Sequence, residues 1–293
     1  MTRTASQTGQ PHLTLTSIKE LCIPILNEKL QKFLEDTLES IYDLFRLATL
    51  KYAKAENLLY KELGLDSFKL EYELCYVTNF SKVFGTHRVD AEYFQPAYEK
   101  LIRHISDKGA CEIRQIQLFN SRGVQPLYVE DGEIKVVTSK HLGRDSIDYS
   151  SLECTTRHEW DNNKNAQIRK FDILIYTTGA YVGRTNCYLV DDEALASNHV
   201  NILRVEKLNP VFVSVYLNSV LGQIQVKRCV SGSAQAELYP SDISRFIVWN
   251  APEQTQRKIA SLVQQSHEAR KKAKELLEEA KRKVEAEIEK EAS

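Results

Sequence analysis

The sequence lacks several features that would assign it to a common class of protein. Its six cysteines lie far apart and form no C-x-x-C pair, which argues against a zinc site and against a disulfide framework. It has no apolar run of membrane length and no secretory signal pattern. We therefore expect a reduced, cytoplasmic protein.

An excess of charge of one sign is also missing. The 39 lysines and arginines nearly balance the 40 aspartates and glutamates, which leaves a formal net charge of −1. Without a global basic field, any nucleic-acid site has to be local. The 293 residues are enough for one or two domains with a real core.

Familiar catalytic motifs are absent as well. The sequence contains no H-E-x-x-H, no G-x-S-x-G and no G-x-G-x-x-G. A loop that reads TTGAYVGRT resembles a phosphate-binding loop, but Gly179 and Gly183 are one residue too close and Arg184 replaces the required lysine. With no catalytic apparatus visible, the sequence favours a binding module.

One enzymatic alternative stays open. Asp131, Glu133 and Lys135 have the residue types and the close spacing of a metal-dependent nuclease site. The same residues suit a hairpin, because Asp131-Gly132 stands between two apolar runs. We favour the hairpin and keep the nuclease as the less favoured possibility.

The most informative feature present is an internal repeat. The segment that starts near Ile18 aligns without a gap on the segment 225 positions later, so that Gln31 falls on Gln256 and Ala48 on Ala273. Both copies read as long charged helices, the first from a cap at Asn27 to a stop at Gly64. A repeat of one helix around a single globular insert indicates helices that pack on each other or on another chain.

Each helix carries an apolar seam with alternating steps of four and three residues, the spacing of a left-handed coiled coil. Two residues of the second helix, Ser266 and Arg270, interrupt its seam. The residues that we predict to form the coiled coil or contact a partner are Leu34, Leu38, Ile41, Phe45, Tyr52, Leu59, Ile259, Val263, Leu277 and Val284.

Between the helices the sequence alternates short strands and helices, which predicts an α+β fold: one globular domain flanked by two long coiled-coil helices. We predict a disordered tail over 1–16, a short strand with the first helix over 17–64, the globular domain over 65–250 and the second helix over 251–293. Within the domain we predict a strand over Asp172 to Tyr176 and one continuous helix from Val211 to Val226.

Several loops of the insert gather side chains that contact bases and phosphates. They follow a predicted strand, surround the glycine loop, or end the predicted helix. The candidate DNA-binding residues are Lys140, His141, Thr178, Tyr181, Arg184, Lys227, Arg228, Ser231 and Gln235. Each loop is a weak signal by itself, because basic loop residues are often plain solvated surface.

The whole pattern resembles the DNA-specificity (S) subunits of type I restriction-modification systems. The resemblance rests on Phe171–Asn186, Asn198–Val205, the helix VYLNSVLGQIQVKR, Val230–Val248 and the opening PEQTQRKIASLV of the last helix. In the first half, Ala53–Asp66 and the stretch HRVDAEYFQPAYEKLI also match. The motifs keep a specific order and spacing, and together they cover nearly the whole chain from about Ile18.

The resemblance implies a non-catalytic subunit that reads a bipartite DNA target and directs methyltransferase (M) subunits to it, a complex that restriction (R) subunits can join. It implies no cofactor on this chain, with S-adenosylmethionine, ATP and Mg on the partners. Such subunits have two target-recognition domains, whereas this sequence holds one, so it resembles a half-subunit. We expect the second reader to come from a homodimer or from a separate S chain. The alternative function is a coiled-coil adaptor without DNA reading.

Overall fold

A computed structural model describes residues 14–20, 25–65, 71–86, 88–230 and 236–292. The described α-helices are α1 (Leu15–Lys19), α2 (Glu28–Leu63), α3 (Phe80–Thr86), α4 (Pro96–Asp107), α5 (Arg157–Asn162), α6 (Pro210–Asn218), α7 (Val220–Val230), α8 (Pro240–Ile243) and α9 (Glu253–Ala292). The strands are β1 (Ala110–Glu112), β2 (Gln117–Arg122), β3 (Ile134–Val137), β4 (Glu153–Thr155), β5 (Gln167–Ile168), β6 (Ile173–Tyr176), β7 (Thr185–Cys187), β8 (Ala194–Ala196), β9 (Val200–Val205) and β10 (Ile247–Trp249). Within these described ranges, no helix combines the length and the apolar character that crossing a membrane requires.

The predicted α+β fold with a long helix at each end is confirmed. Helix α2 begins and ends where local chemistry predicts. The Asn27 side chain accepts a hydrogen bond from the Leu30 N–H (2.9 Å), which satisfies a free donor of the first turn. Gly64 ends the helix with a positive φ of 69°, a conformation that glycine adopts without strain.

The chain divides into two compact units, to which both long helices contribute. The first unit comprises Met1–Phe45 with Arg270–Ser293. In it the start of α2 contacts the end of α9: Asn27 donates to Glu287, and the Lys283 ammonium lies 3.6 Å from the Phe33 ring centre. These segments therefore run antiparallel.

The second unit, Arg46–Ala269, contains the globular domain and the remaining parts of both helices. Here too the helices run antiparallel, since Ser266 Oγ donates to the Ala48 carbonyl (2.7 Å) and Lys51 donates to Gln265 (2.7 Å). Ala48 and Ser266 are buried. Their small side chains permit this close approach, and the polar seam position predicted at Ser266 is satisfied by a backbone acceptor.

The described residues of the globular domain form three sheets. Strands β1 and β10 pair with each other, and the other two sheets have the orders β2-β9-β6-β7 and β4-β3-β8-β5. The first four-stranded sheet is antiparallel throughout, whereas β3 and β8 are parallel.

The inner strands β9 and β6 of the antiparallel β2-β9-β6-β7 sheet are largely buried on both faces. Leu203 and Ile173 face a core formed with α4, α6 and α7, while Ile202 and Leu174 face a second core formed with the other four-stranded sheet. This follows from the two-residue period of strands. Tyr52, Leu59 and Ile259 from the long helices complete the first core.

The structure corrects three sequence predictions. The strand and disordered tail predicted before α2 are wrong over Leu15–Lys19, which form α1, because the Thr14 hydroxyl accepts from the Ser17 N–H (3.1 Å) and caps a helix. Residues 1–13 of that tail and residues 21–24 of that strand lie outside the described residues. The helix predicted from Val211 to Val226 is two helices, since Ser219 adopts extended backbone angles between α6 and α7.

The predicted hairpin at Asp131-Gly132 is the third correction. A turn is present there, but β3 pairs with β4 and β8 rather than with the run before the turn. The preceding run is instead held by β4, because Val129 donates its N–H to the Cys154 carbonyl (3.0 Å).

Candidate nucleic-acid interface

The glycine loop connects β6 to β7 across residues 177–184. Gly183 has a φ of 93°, and a Cβ at this position would lie 2.8 Å from Val226 of α7. Gly179 has a φ of 127°, and its Cβ would lie 2.6 Å from the Tyr176 hydroxyl. Both positions thus require glycine, because positive φ strains other residues and the neighbouring atoms leave no space.

Two further contacts fix this loop. Gln223 of α7 donates to the Gly183 carbonyl (2.8 Å), and the Leu238 N–H donates to the Thr177 carbonyl (2.9 Å). The loop is therefore held between α7 and the segment that precedes α8. Its backbone is positioned by the domain rather than left free in solvent.

Tyr181 and Arg184 project from this fixed loop. The Arg184 guanidinium lies 3.5 Å from the centre of the Tyr181 ring, and 54% of Tyr181 is exposed. A guanidinium stacked on an aromatic ring keeps its N–H groups available at its edges. The pair can therefore donate hydrogen bonds to base edges or phosphates.

A second basic group lies at the end of β2. Arg122 donates to the Glu237 carboxylate (2.6 Å) and to the Leu238 carbonyl (2.7 Å), and its guanidinium lies 4.7 Å from the Tyr239 ring centre. Two hydrogen bonds lower the pKa of Glu237: the one from the Tyr239 hydroxyl has the larger effect and the one from Arg122 the next largest. Glu237 is thus an ionised acceptor held by two donors.

Buried polar atoms without partners gather where β2 and β6 end and β9 begins. We call this end of the β2-β9-β6-β7 sheet the candidate edge. In the described part of the chain, six such side-chain atoms belong to Arg122, Thr177, Thr178, Ser197, Asn198 and Asn201. Arg122 and Asn201 are register partners in β2 and β9, and the Thr177 N–H donates to the His199 carbonyl in the turn before β9 (3.0 Å). Because buried polar atoms are normally paired, such a group indicates where a polar ligand completes the hydrogen bonding.

Three predicted DNA-binding residues therefore lie on one loop at this edge: Thr178, Tyr181 and Arg184. Thr178 also forms an antiparallel bridge with Glu237, which links the loop to the Arg122 group. Sequence reasoning missed Arg122, Glu237 and Tyr239, since nothing in the sequence joins positions that are 115 residues apart.

Lys140 and His141 lie on a short 3-10 helix after β3. Lys140 forms an ion pair with Glu153 and is exposed. His141 is 1% exposed, and its Nδ1 accepts from the Thr138 N–H (3.0 Å). Burial lowers the pKa of His141. The burial and the capping bond argue against direct contact between His141 and DNA.

Lys227 and Arg228 are engaged within the domain. Lys227 forms an ion pair with Glu92 (2.9 Å), and this contact raises the pKa of Lys227. Arg228 donates to the Tyr93 carbonyl (3.1 Å) and stacks on the Tyr93 ring (4.4 Å). These contacts fasten the 91–94 segment to α7. Of the other predicted DNA-binding residues, Ser231 and Gln235 lie outside the described residues.

Two residues of the alternative nuclease site, Glu133 and Lys135, contact other side chains rather than each other. Glu133 accepts from Arg157 (3.2 Å), which also binds Glu193 (2.7 Å). Lys135 Nζ lies 3.5 Å from the Cys154 sulfur. Among the residues that the structure describes, no group of three or more His, Cys, Asp and Glu side chains is placed to hold a metal ion.

Comparison with known proteins relates this fold to solved structures. No family model matches the chain, and a search of curated proteins gives no match. The crystal structure of the type I restriction-modification S subunit from M. genitalium matches with a TM-score of 0.53 and 14% identity, covering 95% of this chain and 66% of that one.

Two other solved structures also match. One, described as showing complex assembly and conformational transition of the type I R-M system, has a TM-score of 0.41 at 14% identity and covers 97% of this chain and 64% of that one. The HsdS subunit from Thermoanaerobacter tengcongensis has a TM-score of 0.40 at 16% identity and covers 99% and 66%. The chain thus spans just under two thirds of each neighbour's length, and it has the fold of a type I restriction-modification S subunit.

Proposed function

We propose that the chain is a sequence-specific DNA-binding subunit of a type I restriction-modification complex. The observation that carries this proposal is the edge of the β2-β9-β6-β7 sheet, where unpaired buried polar atoms adjoin the stacked Arg184 and the Arg122 group. Arginine, asparagine and threonine side chains on fixed backbone are suited to the base edges of the major groove. The S-subunit-like fold supports the same function.

The domain would read one half of a bipartite target and bring methyltransferase subunits to it, together with any restriction subunit that joins the complex. S-adenosylmethionine, ATP and Mg would be bound by those partners and not by this chain. The second half of the target would be read by a second domain, from a second copy or from another S chain.

Selection from random duplex DNA tests the proposal. The purified chain, alone and with the type I methyltransferase subunit of the same genome, is used to enrich bound duplexes. We expect one short sequence to be enriched, and Arg184→Ala and Arg122→Ala each to weaken its binding by about 1–3 kcal/mol, roughly 5- to 150-fold in Kd.

Arg157→Ala is the matched control. Arg157 binds Glu133 and Glu193, which precede the parallel strands β3 and β8. The candidate edge adjoins the other ends of these strands, where the Ser197 N–H donates to the Val137 carbonyl (3.0 Å). Removing the Arg157 side chain should leave the affinity for the selected sequence unchanged. No enrichment in either selection would leave the adaptor function, without DNA reading, as the better account.

A further inference from the structure

An acidic side chain, Glu237, lies among the basic and hydroxyl groups of the candidate edge. Its segment crosses the end of the sheet. The Leu238 carbonyl accepts from Arg122 at the end of β2 (2.7 Å), and the Leu238 N–H donates to the Thr177 carbonyl after β6 (2.9 Å). Glu237 itself is the antiparallel bridge partner of Thr178. The backbone that carries Glu237 is therefore fixed to both strands that end here.

The carboxylate of Glu237 is held by its side-chain contacts as well. One oxygen accepts from Arg122 (2.6 Å) and the other from the Tyr239 hydroxyl (2.6 Å). The Arg122 guanidinium in turn lies 4.7 Å from the Tyr239 ring centre. Each of the three side chains thus contacts the other two, and Glu237 is presented in one orientation.

These contacts leave Glu237 able to accept further hydrogen bonds. An ionised carboxylate has about four lone-pair sites, and among the described residues each Glu237 oxygen accepts one hydrogen bond. The side chain is 33% exposed. The amide oxygens of Asn198 and Asn201 at the candidate edge are also acceptors, but they are neutral and buried. Glu237 is therefore an exposed, charged acceptor that a donor outside the protein can reach.

The charge of Glu237 limits which groups of DNA it can contact. Phosphates are bound by basic side chains, hydroxyls and backbone N–H groups, and they repel a carboxylate. In the major groove, guanine and thymine present keto oxygens that accept hydrogen bonds, whereas cytosine and adenine present exocyclic amines that donate them. A fixed, ionised carboxylate at a DNA-binding edge is therefore suited to an exocyclic amine.

We propose that Glu237 accepts a hydrogen bond from the exocyclic amine of a cytosine or adenine at one position of the target, and thereby excludes guanine and thymine from that position on the strand it faces. The inference rests on the proposed function and adds the chemical group that is recognised. Donors lie next to this acceptor, because Thr178 is its bridge partner and Arg184 ends the same loop. An acceptor beside donors matches a base-pair edge, which presents both kinds of group in the major groove.

A carboxylate that only supported Arg122 would behave differently. Its substitution would weaken the binding of every variant of the target alike, because no base would lose a partner. If Glu237 contacts an amine, the loss of discrimination is confined to one position. The base preference at each position is thus the measurement that separates the two roles.

The first test repeats the selection from random duplex DNA with Glu237→Met, which removes the acceptor and keeps a side chain of similar length. We expect the wild-type chain to enrich cytosine or adenine at one position that Glu237→Met no longer restricts, while the other positions keep their preferences. Glu193→Met is the matched control. Glu193 is also a carboxylate paired with an arginine, Arg157, at 2.7 Å, and it precedes β8 at the end away from the candidate edge.

The second test removes the amine from the DNA instead of the carboxylate from the protein. At the position identified by the selection, cytosine is replaced by 2-pyrimidinone or adenine by purine, which lack the exocyclic amine. Fluorescence anisotropy then compares the natural and the modified duplex. We expect the wild-type chain and Glu193→Met to bind the modified duplex about tenfold more weakly, the size of a hydrogen bond to a charged group. Glu237→Met should bind both duplexes equally.

Urea denaturation establishes that Glu237→Met is folded. If it is not, Glu237→Gln takes its place, because the amide keeps one acceptor for Arg122. Its loss on removal of the amine should be smaller than that of the wild-type chain, since a hydrogen bond to a neutral acceptor is weaker.

Two results would overturn the inference and leave the proposed function standing. One is an enriched sequence whose preferences are the same with Glu237→Met at every position. The other is an equal loss for the wild-type chain and the Glu237 variant when the amine is removed. Failure of the wild-type chain to enrich any sequence would instead overturn the proposed function, and this inference with it.

Discussion

Arg122 and Glu237 form an ion pair with a nitrogen–oxygen distance of 2.6 Å between residues that are 115 positions apart. The same guanidinium binds the Leu238 carbonyl and stacks on Tyr239. A lysine would keep the charge but could not make these three contacts at once. A substitution that keeps the charge of Arg122 therefore tests whether its three contacts are needed.

We expect Arg122→Lys to weaken binding to the selected target by about 1–3 kcal/mol while binding to random duplex stays nearly unchanged. Fluorescence anisotropy with the two duplexes measures both values. The matched control is Arg157→Lys, and an equal loss for both duplexes would show that Arg122 acts through charge alone.

The contact between Tyr181 and Arg184 should contribute a measurable coupling energy. Cation–π pairs at exposed sites are worth about 0.5–1 kcal/mol. We therefore expect a double-mutant cycle of Tyr181→Leu and Arg184→Ala, read out as target affinity, to show coupling of about that size. Strict additivity would mean that the stacking does not position Arg184 for the target.

A substitution at Lys227 distinguishes a side chain that contacts a DNA phosphate from one that is paired within the protein. Its ammonium lies 2.9 Å from Glu92 and 4.7 Å from the Tyr72 ring centre. We expect Lys227→Met to leave the salt dependence of DNA binding unchanged. A decrease of about one in the slope of log K against log salt would instead identify the phosphate contact suggested by the sequence.

Burial of His141 should make folding stability depend on pH. In the folded protein its pKa is lowered mainly by burial and secondarily by the positive charge of Lys140. An unfolded histidine has a pKa of about 6.5. Below that pH the unfolded state binds the proton first, so the free energy of unfolding decreases on acidification. In His141→Asn, which keeps an acceptor for the Thr138 N–H, the decrease between about pH 7 and pH 5 should be smaller in urea titrations. An identical decrease would assign the pH dependence to other groups.

Asp172 should be the most costly single polar substitution in the domain. Its carboxylate is 1% exposed and accepts two hydrogen bonds from Arg204 at 2.7 Å each. Removing one partner of a buried pair costs about 3–5 kcal/mol, and the lower end is expected here because the Arg204 side chain left without its carboxylate is 22% exposed. We expect Asp172→Ala to lower the free energy of unfolding by about that amount, measured by urea denaturation. Lys170→Ala, which removes a more exposed pair with Asp191, should cost less than about 1 kcal/mol.

Local signals account for the elements that the sequence predicted well. Asn27 and Gly64 mark the ends of α2 because capping depends on neighbours within a few residues. The break between α6 and α7 could not be predicted in this way. At this break a Cβ on Gly222 would lie 2.1 Å from the Leu217 carbonyl, and hydrophobic spacing does not report such close approaches.

The residues of the candidate site also fall into those that a local sequence pattern indicates and those that only the fold brings together. Tyr181 and Arg184 were found because a glycine loop is visible in the sequence. The pairing of β3 with β8 and the meeting of Arg122 with Glu237 join distant segments, and only tertiary structure brings them together.

In the glycine loop, some positions have to keep their residue type and others can be substituted. At Gly179 and Gly183, any side chain would meet Tyr176 or Val226 and would require a strained backbone. Thr178, Tyr181 and Arg184 carry no such restriction. A library that randomises those three positions and keeps both glycines would therefore sample new target preferences on an unchanged scaffold, so that altered recognition need not come at the expense of folding.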